Sequence, residues 1–262
     1  MSTDARCRLH FYGDDTWLKL FPPEDSVFSR YEGTTSFFVS DYIEVDQNVS
    51  RCLDDELSSP WVKRDGGKEA GEWDVLILHY LGLDHIGHYQ GPRSPLMPPK
   101  LREMDDIVRK LWEEVLAKDE DRCSSGKDHQ EPCGTLLVLL GDHGMNEVGN
   151  HGGSSELETS TVLLLASTKL QDQGSAVSTV DQVDLVPTLA VLMGVPIPLN
   201  SLGAVIPKLL PGSPGDAQRL SAYRRNAEQL MRVLRSYPAF WDASAGQAAS
   251  EEVFVGPGES FG

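Results

Sequence analysis

"WDVLILHYLGLDHIGHYQG", Trp73 to Gly91, decides how this chain folds. An apolar, β-branched run stops at a glycine and is followed at once by Asp84 and His88. Short apolar runs bounded by turn residues are the signature of strands buried on both faces. The four-residue spacing places both side chains on one face of a helical turn, where they can approach a single ion. His85, between them, reads as structural.

"RLHFYG" (Arg8–Gly13), "TLLVLLGD" (Thr135–Asp142) and "STVLLLAS" (Ser160–Ser167) are further runs of the same kind. The stretch "PPKLREMDDIVRKLWEEVLAK" (Pro98–Lys118) carries Leu101, Met104, Ile107, Val108, Leu111 and Val115 at helical spacing. It predicts a strand, helix, strand unit. The fold class is therefore α/β, a mainly parallel central sheet flanked by helices. Chemistry in such folds collects at the carboxyl ends of strands, where "LDHIGH" and "GDHG" both fall. "VDQVDLVPTLAVLMGVPIP" reads as a helix with Pro187 in its first turn and Gly194 as its stop. "DAQRLSAYRRNAEQLMRVLRSY" reads as a second amphipathic helix with a solvated basic face. The expected division is a catalytic domain over residues 1–210, then a helical extension and a small, acidic, mobile tail over 211–262. No internal repeat is visible.

Directly after the third run, "LLGDHGMNEVGNHGG" (Leu139–Gly153) holds five glycines, Asp142, His143 and His151 in 15 residues. Carboxylate oxygen with imidazole nitrogen, without thiolate, is a common donor set for catalytic zinc. Asp84, His88, Asp142, His143 and His151 exceed what one open site needs and suit two ions, one activating a nucleophile and one steadying the transferred group. The glycines let the backbone approach such ions closely and leave room for a tetrahedral phosphoryl group.

Composition sets the outer limits. At 262 residues the chain is long enough for one large α/β domain. Its net charge of −17 argues against a nucleic-acid surface, because phosphates would be repelled. Cys7, Cys52, Cys123 and Cys133 lack C-x-x-C spacing, which disfavours a thiolate zinc site. Cys123 and Cys133 flank a polar insert and could bridge in an oxidising compartment, a pairing that spacing alone leaves open. "NVS" makes Asn48 an acceptor for N-glycosylation in a secretory chain. No apolar run of about 18 residues and no signal core appear, so by itself the chain reads as soluble and untargeted.

"DHIGH", "GDHGM" and "GNHGG", in that order, resemble the metal-binding elements of the alkaline phosphatase superfamily. "DQVDLVPTLAVLMGVPIP" resembles the Asp-x-x-Pro-Thr-Leu segment of its phosphodiesterase relatives. "FYGDDTWLKLFP", "TTSFFVSDYIEVDQNVSRCLDDEL" and "DVLILHYLGLDHIGHYQGPRSPLMPPKLREMD" narrow the likeness to the GPI ethanolamine phosphate transferases, over about residues 8 to 210. Within them the likeness points to the type that modifies the second mannose.

The resemblance implies an alkaline-phosphatase-like domain that transfers phosphoethanolamine from phosphatidylethanolamine to a mannose of a GPI lipid precursor. It implies the luminal face of the endoplasmic reticulum membrane, and a small membrane-embedded stabilising subunit as partner. It also implies two zinc ions, with Asp84, His88 and His151 on one and Asp142 with His143 on part of the other. Asp15, Trp17 and Asp41, in the family signatures "GDDTW" and "SDYIEVD", are expected near the lipid headgroup, or else as capping and core residues. In the family a membrane anchor, a strand carrying a metal-binding Asp and a Thr nucleophile all precede "YGDDTW". This sequence starts seven residues before "RLHFYG", and Thr16, Thr34 and Thr35 lie in the wrong context to serve. The expectation is a chain without its first strand, with impaired activity and one firmly bound zinc. A soluble two-metal phosphodiesterase and an inactive metal-binding fragment are the alternatives; the Cys-x-Pro-x-Arg motif of a sulfatase is absent.

Overall fold

A computed structural model describes residues 7–58, 73–124, 134–167, 178–210, 212 and 215–237, without the side chains of 121–124. The proposed pairing of Cys123 with Cys133 and the C-terminal tail lie outside the described residues. The chain divides into two compact units, Met1–Lys169 and Leu170–Gly262. Their boundary falls inside the 1–210 region that the sequence reads as one domain. Among the described residues no helix is long and apolar enough to cross a membrane.

The first unit is α/β. Strand β1 (Leu9–Asp14) is followed by a short helix α1 (Thr16–Leu20) and by β2 (Arg30–Thr34). Helix α2 (Glu44–Ser58) leads to β3 (Val75–Leu78), and the three strands form a parallel sheet in the order β2-β1-β3. His10 pairs with Arg30 on one side and with Leu76 on the other. Helices α3 (Gly82–Gln90) and α4 (Met97–Ser124) follow. Strand β4 (Leu136–Leu140), helix α5 (Glu156–Thr159) and strand β5 (Leu163–Ser167) complete the unit.

The sheet departs from the sequence reading in two places. "RYEGT" forms β2 although four of its five residues are exposed, so no apolar run announces it. Its pairing with β1 makes it a strand, an edge solution that leaves no burial signal. The run "STVLLLAS" is a strand as expected, but β5 pairs antiparallel with β4 in a separate two-stranded sheet.

Alternation along β1 builds the core on both faces of the parallel sheet. Phe11 is fully buried and stacks on Phe28 and near Trp17. On the opposite face Tyr12 packs with Val49 and Cys52 of α2. That face also buries Glu56, whose Oε1 accepts hydrogen bonds from Tyr12 Oη at 2.5 Å and His10 Nδ1 at 2.9 Å. Arg30 Nη1 lies 3.1 Å from the same oxygen and offsets its charge. Burial pushes the His10 pKa down, so the ring is a neutral donor toward Glu56.

A second buried ion pair fixes the start of α3. Asp46 Oδ1 accepts the backbone amides of Leu81 and Gly82, each at 2.9 Å. Asp46 Oδ2 meets Lys100 Nζ of α4 at 3.1 Å, and both side chains are almost wholly buried. Gly82 is required here because a Cβ would collide with the Asp46 carboxylate. One acid thus satisfies two orphan donors of a helix N-terminus and joins α2, α3 and α4.

In the second unit a 3-10 turn (Gln182–Asp184) runs into α6 (Leu185–Leu192), and α7 spans Ala217–Ser236. Thr188 Oγ1 donates to the Asp184 carbonyl and accepts the Ile206 amide, while Asp184 Oδ1 accepts the Ala204 amide. Asn226 of α7 holds Gly203 and Val205, and Gln229 holds Leu199 and Ser201, all through backbone atoms. The Asp-x-x-Pro-Thr element therefore acts here as a clasp for the segment 203–206.

Candidate metal centre

Helix α3 begins just past the carboxyl end of β3, and it carries Asp84 in its first turn and His88 in its last. His85, which faces inward, is 2% exposed and donates from Nδ1 to the Asp41 carbonyl at 2.5 Å. Its inward anchoring leaves Asp84 and His88 on the accessible face of the same helix.

The glycine-rich loop after β4 brings the remaining residues. His151 Nε2 lies 3.0 Å from His88 Nε2 and 3.6 Å from Asp84 Oδ1. His88 Nε2 lies 3.4 Å from Asp84 Oδ2. One donor atom from each of Asp84, His88 and His151 falls within 4.8 Å of the others. These side chains are 32%, 24% and 32% exposed, so the cluster opens to solvent on one side.

The residues fit a cation. Asp84 Oδ1 is buried and has no hydrogen-bond partner among the described residues, a costly condition for a carboxylate oxygen unless something positive faces it. Two imidazole Nε2 atoms pointing at one another across 3.0 Å, beside that oxygen, form an O, N, N donor set of the type that holds divalent transition metals.

His143 stacks on His151 with ring centroids 3.8 Å apart, which places the Asp-His pair beside the three-residue cluster. Its Nδ1 is 2.9 Å from the Gly144 carbonyl. A carbonyl only accepts, so Nδ1 carries the proton and Nε2 is left with its lone pair. Asp142 Oδ2 lies 3.5 Å from that Nε2, and Asp142 Oδ1 accepts the His143 amide. Asp142 is the most exposed of the five at 69%. All five ligand candidates therefore occupy neighbouring positions, with Asp84, His88 and His151 converging most tightly.

The three headgroup candidates have structural partners. Asp15 pairs with Lys19 at 2.8 Å on the surface of α1. Trp17 lies among Phe11, Phe21 and His79. Asp41 Oδ1 accepts the Ile43 and Glu44 amides at the start of α2, and its carbonyl receives His85. Asn48 lies half-buried inside α2, and the Ser50 hydroxyl of its triplet meets Tyr80 Oη at 3.4 Å.

Glu158 and Asn146 escaped the sequence reading. Glu158 of α5 accepts hydrogen bonds from Gly153, Ser155 and Asn146. The one available signal was the Ser-x-x-Glu spacing of Ser155 and Glu158, a capping box.

A parallel α/β sheet with Asp84 and His88 just beyond its strand β3, met by Asp142, His143 and His151 from the loop after β4, is compatible with a metal-dependent phosphoesterase. Residues 11–192 match the type I phosphodiesterase / nucleotide pyrophosphatase family, and the chain belongs to it. Among curated proteins it is similar to GPI ethanolamine phosphate transferase 2 of Yarrowia lipolytica, 46% identical over 250 residues, covering 89% of this chain and 26% of the relative. The human GPI ethanolamine phosphate transferase 2, catalytic subunit, is 44% identical over 231 residues, covering 87% of this chain and 21% of the relative. The Saccharomyces cerevisiae protein of the same name is 42% identical over 245 residues, covering 86% and 26%. The chain thus spans about a quarter of the length of these relatives. No solved structure matches it.

Proposed function

We propose that this chain carries the metal-holding part of a site that transfers phosphoethanolamine from phosphatidylethanolamine to a mannose of a GPI-anchor precursor. The observation that carries the reading is the convergence of Asp84, His88 and His151 around a buried Asp84 Oδ1 that accepts no hydrogen bond from the described residues. The names of its relatives supply the substrate class. In this reading the reaction takes place at the luminal face of the endoplasmic reticulum membrane, and the relatives' names, which tie them to GPI anchors, support the endoplasmic reticulum as its compartment. That the human relative is named a catalytic subunit supports a second, non-catalytic subunit as partner.

The metal of this reading is zinc, because aspartate and histidine without thiolate suit a catalytic zinc. When bound, zinc would polarise phosphoryl oxygens and acidify an attacking hydroxyl. Asp84, His88 and His151 would hold one ion. Asp142 Oδ2 and His143 Nε2 would hold part of a second, with His143 oriented by the Gly144 carbonyl. Gly152, next to His151, has open space where a side chain would stand, which suits the approach of a phosphoryl group, while Ile86 and His85 are buried on the other side of α3.

The test is transfer by the full-length protein containing this region, expressed in cells deleted for their own enzyme, with GPI glycans read by mass spectrometry. Asp84→Ala is expected to abolish phosphoethanolamine addition. Normal addition by that variant removes Asp84 from the site. Turnover of small aryl phosphodiesters by the chain, with no effect on GPI glycans, would instead support a soluble phosphodiesterase.

A further inference from the structure

We infer that Glu158 is a positioning residue that closes the Gly144–Gly153 loop and thereby sets His151 against Asp84 and His88. The inference rests on the reading of those three residues as cation ligands. Its subject is a residue that touches none of them.

Glu158 holds both ends of the loop. Its backbone carbonyl accepts the Gly144 amide at 2.8 Å, one residue beyond His143. Its Oε1 accepts the Gly153 amide at 3.1 Å, two residues beyond His151. The same oxygen accepts Asn146 Nδ2 at 3.1 Å. Asn146 then organises the middle of the loop: Oδ1 accepts the amides of Val148 at 3.1 Å and Asn150 at 3.0 Å, and its own amide donates to the Asn150 carbonyl at 2.9 Å. The chain of bonds runs from carboxylate to Asn146 to Asn150, the neighbour of His151.

The loop so formed lies tightly on the ligand helix. Gly149 has φ +86°, and a Cβ there would collide with the Gly87 carbonyl of α3, between Asp84 and His88 in the helix. A loop held this closely transmits small shifts of its own frame to the distance between His151 and α3.

Capping α5 is the simpler role for Glu158, and the Ser155 pairing serves it. It does not account for Asn146 and Gly153, which lie outside that helix and gain nothing for its capping. The two roles use different contacts and so separate experimentally.

The experiment is zinc affinity by competition with a chromophoric chelator, on the 262-residue chain, alongside its thermal midpoint. Glu158→Ala is expected to weaken zinc binding about 10- to 100-fold, the range seen when groups that orient metal ligands are removed, with a fall in midpoint close to that of Ser155→Ala, which breaks the same capping box. Glu158→Gln is expected to recover part of the loss, since its amide oxygen still accepts from Gly153. Ser155→Ala, which removes only a capping contact, is expected to bind zinc like the parent. Unchanged affinity in Glu158→Ala, or an equal loss in Ser155→Ala, overturns the proposal while the metal reading stands. A parent chain that binds no zinc overturns the metal reading and the proposal with it.

Discussion

The Nε2 atoms of His88 and His151, 63 residues apart in sequence, lie 3.0 Å from each other. Two such nitrogens gain little from one another in water. At most one proton bridges them, and charging both rings sets like charges in contact. A shared cation would satisfy both lone pairs and the buried Asp84 oxygen together. Zinc should therefore raise the thermal midpoint of the parent chain, by about 2.7 kcal/mol of stabilisation at 100 times its dissociation constant. His88→Ala and His151→Ala should lose most of that gain while keeping a near-parental midpoint in chelator. A zinc response equal to the parent's in either variant would exclude that histidine from the site.

Gly149→Ala probes the contact between loop and helix. The left-handed backbone and the clash with the Gly87 carbonyl both oppose a side chain here. The variant should lose roughly 1–3 kcal/mol in urea denaturation and bind zinc more weakly than the parent. Parental values in both would mean the loop does not rest on α3.

Lys100→Met leaves Asp46 buried without its cation. Breaking one side of such a pair costs about 3–5 kcal/mol. Equilibrium urea unfolding measures it, and the loss should exceed that of Lys110→Met, whose partner Asp54 is exposed. Equal losses would contradict the role given to Asp46 at the head of α3.

The carboxylate of Glu158 gives a pH signature. The Ser155 hydroxyl, followed by the Gly153 and Ser155 amides and Asn146, hold its pKa below the ordinary 4.5. In that window the unfolded chain binds more protons than the folded one, so stability rises with pH there. The contribution is complete above 4.5 and is lost as pH falls through the folded value. Amide shifts of Gly153 and Asn146, followed by NMR from neutral to acid pH, should move together below 4.5. In Glu158→Gln that step should vanish, and its persistence would assign the titration elsewhere.

The sequence carries the parts of this site that chemistry makes conspicuous. Asp84 and His88 announce themselves by spacing on one helical face, and "GDHGMNEVGNHGG" by its glycines, aspartate and histidines. The strands β1, β3, β4 and β5 announce themselves by apolar runs. What stayed hidden depends on pairing between distant segments. β2 is polar and exists because β1 offers it backbone partners. The antiparallel sense of β5 is fixed by its partner, and no apolar run encodes direction. Asp46, Lys100 and Glu56 look like surface charges in helices until partners far off in sequence, such as Tyr12 for Glu56 and Lys100 for Asp46, meet them in the core. Glu158 is conspicuous only as a cap, because its hold on Gly153 and Asn146 is a property of the folded loop.

X-ray diffraction from zinc-soaked crystals, with data on both sides of the zinc absorption edge, locates the metal directly. The expected result is an anomalous peak bounded by Asp84, His88 and His151. A fully occupied zinc elsewhere, with those three side chains free of density, would contradict it.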